Sequence, residues 1–154
     1  MAYTSCKAII DEFLADIRAY ATTSSGELHT ASVRKGPIHT LRLASGITCG
    51  VVVSLEGLDG GEQAAGTGNH WWHDWTLNVL LLVPDNESDP GAAEDIRCEL
   101  LDDFMSFVHS DRCLVGGVKK GFVSGATFSM ASLSAEEQQV WRAVECKVTY
   151  KALV

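Results

Sequence analysis

The stretch from Trp71 to Val83 constrains this chain more than any other. Trp75, Leu77, Val79, Leu81 and Val83 alternate with Thr76 and Asn78, and then Leu80 and Leu82 make the run apolar on both faces. Period-two alternation specifies a strand with one buried face. An apolar second face at one end is what a central strand shows where it is covered on both sides. Pro84 ends the run, having no N–H to give to a ladder. The chain must therefore build a sheet around this strand and supply helices to cover it.

Two segments have helical periodicity. Cys6, Ile9, Ile10, Phe13, Leu14, Ile17 and Tyr20 recur at spacings of three and four, predicting a helix from about Ser5 to Ala21 with Thr4 or Ser5 as cap. Asp11, Glu12, Asp16 and Arg18 fall off that stripe. Asp89-Pro90 opens a second helix, the carboxylate as cap and the proline in the first turn, running to about His109. Its buried stripe is Ile96, Leu100, Leu101, Phe104, Phe107 and Val108. Glu94, Asp95, Glu99, Asp102 and Asp103 form an acidic face that reads as solvated.

Further strands are expected at Ile38 to Leu43 and Ile47 to Leu55, joined as a hairpin by Ser45-Gly46. Another follows Gly116-Gly117, from about Val118 to Met130, with Gly121 and Gly125 permitting bulges. The last is Val144 to Ala152, alternating cleanly with Glu145, Lys147, Thr149 and Lys151. Two segments read as flexible loops: residues 24–36, polar and weakly patterned, and residues 56–69, which carry Gly57, Gly60, Gly61, Gly66 and Gly68. The order α-β-β-β-α-β-β predicts one α+β domain over residues 1–154, a mainly antiparallel sheet packed by two helices.

With 154 residues and 46% apolar content the chain can bury a core without a metal or disulfide. Its net charge of −8 argues against tight, sequence-independent binding of DNA phosphates. Cys6, Cys49, Cys98, Cys113 and Cys146 are odd in number and scattered, which suits free thiols in a reducing compartment. Lys7 is followed by a short apolar run that Asp11 and Glu12 interrupt, so no signal peptide is read, and no stretch approaches the ~20 apolar residues of a membrane span.

The segment His70-Trp71-Trp72-His73-Asp74-Trp75 is the one conspicuous chemical cluster. Imidazole and carboxylate are common zinc ligands, so His70, His73 and Asp74 define one reading, a small metal-dependent hydrolase. A strand, however, sends positions 70 and 73 to opposite faces. The competing reading places the aromatics in packing or contact: Trp75 in the core, continuing the Leu77-Val79-Leu81 row, and Trp71, Trp72 and His73 at a subunit contact. No GxSxG elbow, P-loop or strand-GxGxxG-helix unit is present in the sequence. His29, His39 and His109 are isolated. No catalytic, cofactor-binding or metal-ligating residue is assigned, and the expected role is structural, not enzymatic.

The second half of the chain resembles the tail terminator and tail-completion proteins of long-tailed bacteriophages. The matching text is Trp75-Thr76-Leu77-Asn78-Val79, the helix Ile96 to Val108, the turn Cys113-Leu114-Val115-Gly116-Gly117-Val118, and the closing strand Glu145-Cys146-Lys147-Val148-Thr149-Tyr150. The first half follows that family in element order alone, and its glycine-rich segment and His-Trp cluster have no counterpart there. The resemblance implies a hexameric ring at the head-proximal end of the tail tube, with DNA passing through the lumen unbound. Its implied partners are further copies of itself, the major tail tube protein and a head-tail connector protein. The implied location is the tail or neck of the virion, assembled in the host cytoplasm. Trp71, Trp72 and His73 then become candidates for the subunit or tail-tube contact. Another head-to-tail connector is the neighbouring reading.

Overall fold

A computed structural model describes residues 6–36, 49–63, 71–86, 88–110, 118–132 and 140–153. It is an α+β structure: a five-stranded mixed sheet with two helices. In chain order the elements are α1 (Cys6–Thr23), a 3-10 turn (Glu27–Thr30), β1 (Ala31–Lys35), β2 (Cys49–Gln63), β3 (Trp71–Pro84), α2 (Pro90–Val108), β4 (Val118–Ser132) and β5 (Val140–Leu153). The strands lie side by side as β1-β2-β3-β5-β4. β1 runs parallel to β2, and the other three pairs are antiparallel.

Both helices pack on one face of the sheet. α1 delivers Ile9, Ile10, Phe13, Leu14 and Ile17, and α2 delivers Leu100, Phe104, Phe107 and Val108. They meet the inward rows Leu77, Val79, Leu81 of β3 and Val144, Cys146, Val148, Tyr150 of β5. Phe13 stands at the centre, edge-on to Phe107 at 5.6 Å, to Tyr150 at 6.2 Å and to Phe104 at 6.4 Å between ring centroids. These are tilted aromatic geometries that gain beyond burial alone. On the other face a smaller cluster of Val52, Leu82, Trp141 and Ala143, with Leu80 beside it, buries one end of the sheet. The two-sided apolar text of β3 thus corresponds to a strand buried on both faces at that end.

α2 starts as its sequence specifies: the Asp89 carboxylate accepts from the Ala92 amide at 3.1 Å, with proline in the first turn. Its stripe differs in detail. Ile96 and Leu101 are only half-buried, and Arg97 is buried instead. Arg97 donates to the carbonyls of Ser129 (3.2 Å) and Ala143 (3.3 Å), pairs with Glu94 at 2.6 Å, and lies 4.8 Å above the Phe128 ring. A guanidinium can be buried this way because both terminal nitrogens and one face have partners, although its Nε is buried without a hydrogen bond.

Three sequence expectations are corrected. Residues 24–36 are not a loose loop: they hold the 3-10 turn and β1. Asp103 anchors them, accepting from Tyr20 Oη (3.2 Å), Ser24 Oγ (2.8 Å) and the Leu28 amide (3.0 Å). Residues 56–63 of the expected glycine-rich loop continue β2, paired to β3 with register shifts at Leu55/Gly57 and Asp59/Glu62. Glycine inside a strand marks such bulges, and Gly60 has φ +61°. The acidic face of α2 is not uniformly solvated, because Asp103 and Glu94 are tied into the fold. Glu94 also binds Arg142 of β5 at 2.7 Å, and the two arginines, Arg97 foremost, hold its carboxyl below the usual range. The hairpin expected over residues 38–47, its Ser45-Gly46 turn, residues 64–69, the caps Thr4 and Ser5, and Gly116-Gly117 lie outside the described residues. No helix among the described residues is long and apolar enough to cross a membrane.

Candidate functional site

The His-Trp segment opens β3. His70 and the Trp71 side chain lie outside the described residues. Trp75 is buried with the inward row, as its alternation requires. Trp72 and Asp74 fall on the opposite face and are half-buried. His73 sits between them in sequence and therefore on the other side of the sheet. Its Nδ1 is hydrogen-bonded to the Gly60 carbonyl across the β2 bulge. His73 and Asp74 are thus separated by the sheet, and no group of three or more metal-ligating side chains occurs among the described residues.

The helix-free face carries charge in an ordered way. One row across the sheet runs Asp59 (β2), Asp74 (β3), Lys151 (β5), each the register partner of the next. One step along the strands lies the row Gly57, Thr76, Thr149, Phe122. Nearby, Lys147 binds Glu56 at 2.7 Å across the sheet, and Ser124 donates to the Lys147 carbonyl at 3.1 Å. The carboxylate of Glu56 raises the Lys147 pKa above the ordinary lysine value.

Among the described residues β4 forms one edge of the sheet. It is 15 residues long, and its apolar side chains are open to solvent: Phe122 is 54% exposed, Phe128 48% and Met130 51%. On β2, Leu58 is 47% exposed. A long, apolar edge strand is a template for pairing with another chain unless something blunts it. The opposite edge is treated differently. β1 has five residues, and Arg18 of α1 reaches out to donate to the Val33 carbonyl at 3.0 Å. Sequence reading missed the β4 surface because strand alternation there does not separate apolar from polar residues. Its available signal was the pair of large apolar residues in Phe128-Ser129-Met130, set among small residues.

The buried thiols are structural. Cys49 donates to the Glu27 carbonyl at 3.4 Å, and burial pushes Cys146 up to about 12, while Cys98 is exposed. Glu27 is also raised, first by burial and then by Glu99 and Asp103 nearby. No protein-family model matches this chain, and no curated protein matches it.

Proposed function

We propose that this protein is a structural component of a long-tailed bacteriophage virion. In this reading it assembles as a ring on the head-proximal end of the tail tube, ends tube polymerisation and offers a surface to the head connector. The observation that carries the reading is β4, the last strand of the sheet among the described residues, with Phe122, Phe128 and Met130 exposed, joined to the family-like text of β3, α2 and β5. Such a surface is costly in a protein that works alone and useful in one that works assembled. The net charge of −8 suits a ring through which DNA slides without being held. Trp72 and His73, half-buried at the start of β3, are the proposed contact toward the tube or a neighbouring subunit, together with Trp71.

The test is assembly on purified tail tubes. Tubes incubated with the protein should stop elongating and carry a stoichiometric ring at one end, visible by electron microscopy. Tubes that grow normally and bind none of the protein refute the reading.

A further inference from the structure

We propose that the cleft between the last turns of α1 and the outer edge of β1 binds a phosphoryl group, held between the guanidiniums of Arg18 and Arg34. The proposal stands apart from the ring reading.

The cleft has a volume of about 420 Å³, within the ~300–1,000 Å³ of small-molecule sites, and every residue lining it is among those described. α1 contributes Arg18, Ala21 and Thr22, the 3-10 turn His29, and β1 residues 31–34. Two arginines and a histidine line it and no carboxylate does, in a chain whose net charge is −8. A cleft lined by one sign of charge focuses the field and concentrates the opposite ion. Arg34 is exposed and has no ion-pair partner among the described residues.

Strand geometry adds a backbone donor. Along a strand the N–H and C=O of one residue point to the same side, and successive residues alternate. The Gly36 amide donates to the Val53 carbonyl of β2 at 3.0 Å, so the even-numbered residues of β1 face β2. Val33 therefore turns its N–H and C=O outward, toward the cleft that it lines. Its carbonyl accepts from Arg18 Nη2 at 3.0 Å, which fixes that guanidinium beside the Val33 N–H. The His29 ring is fixed as well, with Nδ1 3.0 Å from the Ala21 carbonyl. A carbonyl only accepts, so Nδ1 carries the proton and Nε2 is the nitrogen left for a ligand. The end of a helix repels anions through its free carbonyls. Here those carbonyls are occupied: Ala19 by Thr22 Oγ1 at 2.7 Å, Tyr20 by the Ser24 amide at 2.9 Å and Ala21 by His29.

This donor set selects the class of ligand. A guanidinium matches carboxylate and phosphate alike with paired N–H donors. A carboxylate carries one charge and fills one such fork. A phosphoryl group carries about −1.5 to −2 and presents three acceptor oxygens, enough for both guanidiniums and the Val33 amide together. The cleft is larger than that group, so it admits an esterified phosphate as well as the free ion.

Titration calorimetry with inorganic phosphate, adenosine monophosphate and acetate at equal ionic strength tests this, with NMR shifts locating the site. Phosphate should bind at millimolar concentration and move the Val33 amide and His29 ring signals, and acetate should do neither. Arg34→Ala should weaken phosphate binding roughly tenfold or more, the cost of one lost charge-assisted contact. It should leave melting in phosphate-free buffer unchanged, because Arg34 holds nothing in the fold together. Arg34→Gln, which keeps the stem, repeats the measurement should the alanine variant not fold. Adenosine monophosphate binding more tightly than phosphate assigns an esterified ligand, and equal or weaker binding assigns the free ion. The proposal is overturned if neither phosphate binds, if acetate binds as well, if the shifts do not gather at Val33 and His29, or if the Arg34 variants keep full affinity.

Discussion

Replacing Asp103 with alanine should cost about 3 kcal/mol, far more than its position on an acidic helix face suggests. The carboxylate accepts from the Leu28 amide at 3.0 Å, from Ser24 Oγ at 2.8 Å and from Tyr20 Oη at 3.2 Å. Leu28 is fully buried, so its amide would lose its acceptor, a loss of ~1–3 kcal/mol. The two hydroxyls are half-buried and can turn toward water, so they add roughly 0.5 kcal/mol each. A second substitution tests the same geometry independently. A methyl group on Gly26 would lie 2.6 Å from Asp103 Cγ and Oδ2, so Gly26→Ala must displace the carboxylate from its donors. In the double variant there is no carboxylate left to displace. The two changes should therefore be strongly non-additive, with a coupling of about 2 kcal/mol. Urea unfolding followed by tryptophan fluorescence measures all four corners of the cycle. An Asp103→Ala loss under ~0.5 kcal/mol, or additive costs, would refute the claim that this carboxylate holds residues 24–36 in place.

Trp75→Ala should lower stability by ~3–5 kcal/mol because the ring is buried in the inward row, whereas Trp72→Ala, on the half-buried far face, should cost less than half as much; thermal melting compares them. Gly121→Ala should be destabilising by ~1–3 kcal/mol, since the added Cβ would overlap the buried Tyr150 ring and come within 2.9 Å of the Thr149 carbonyl; the same melts read it. Lys35 and then Lys7 hold the exposed Asp11 carboxyl at about 2, below its ordinary 3.8. A depressed folded-state pKa stabilises above the unfolded value and is lost as pH falls through the folded one. Wild type and Asp11→Asn should thus differ in stability above 3.8 and converge as pH approaches about 2; curves that run parallel across that window would show that the pairing contributes nothing.

What the sequence made legible was local. The Asp89 cap, the α1 stripe, the Leu100-Phe104-Phe107-Val108 part of the α2 stripe and the Trp75-to-Leu81 row are each written in a single periodic segment and buried as that segment predicts, while Arg97 takes a buried place on α2 that no period shows. What it hid was tertiary. Residues 24–36 look loose because their order comes from Asp103, far along the chain. Glycine-rich residues 56–63 look flexible because their order comes from pairing with β3. The acidic face of α2 looked uniform because nothing local shows that Glu94 meets Arg142. The charge row is the extreme case: Asp59, Asp74 and Lys151 come from three strands, and only register aligns them.

β5 lies between β3 and β4, yet it is the last of the five strands in sequence. A chain emerging N-terminus first therefore holds β3 and β4 apart until β5 arrives to fill the gap. Before that moment α1 and α2 lack Val144, Cys146, Val148 and Tyr150 beneath them, and the sheet is two pieces. Completion is governed by one late insertion, with contacts of long sequence separation that slow folding. The Asp74-to-Lys151 pair comes into existence only with that insertion. Until then β4 has no neighbouring strand among the described residues, so the strand that exposes Phe122, Phe128 and Met130 is placed only by that insertion.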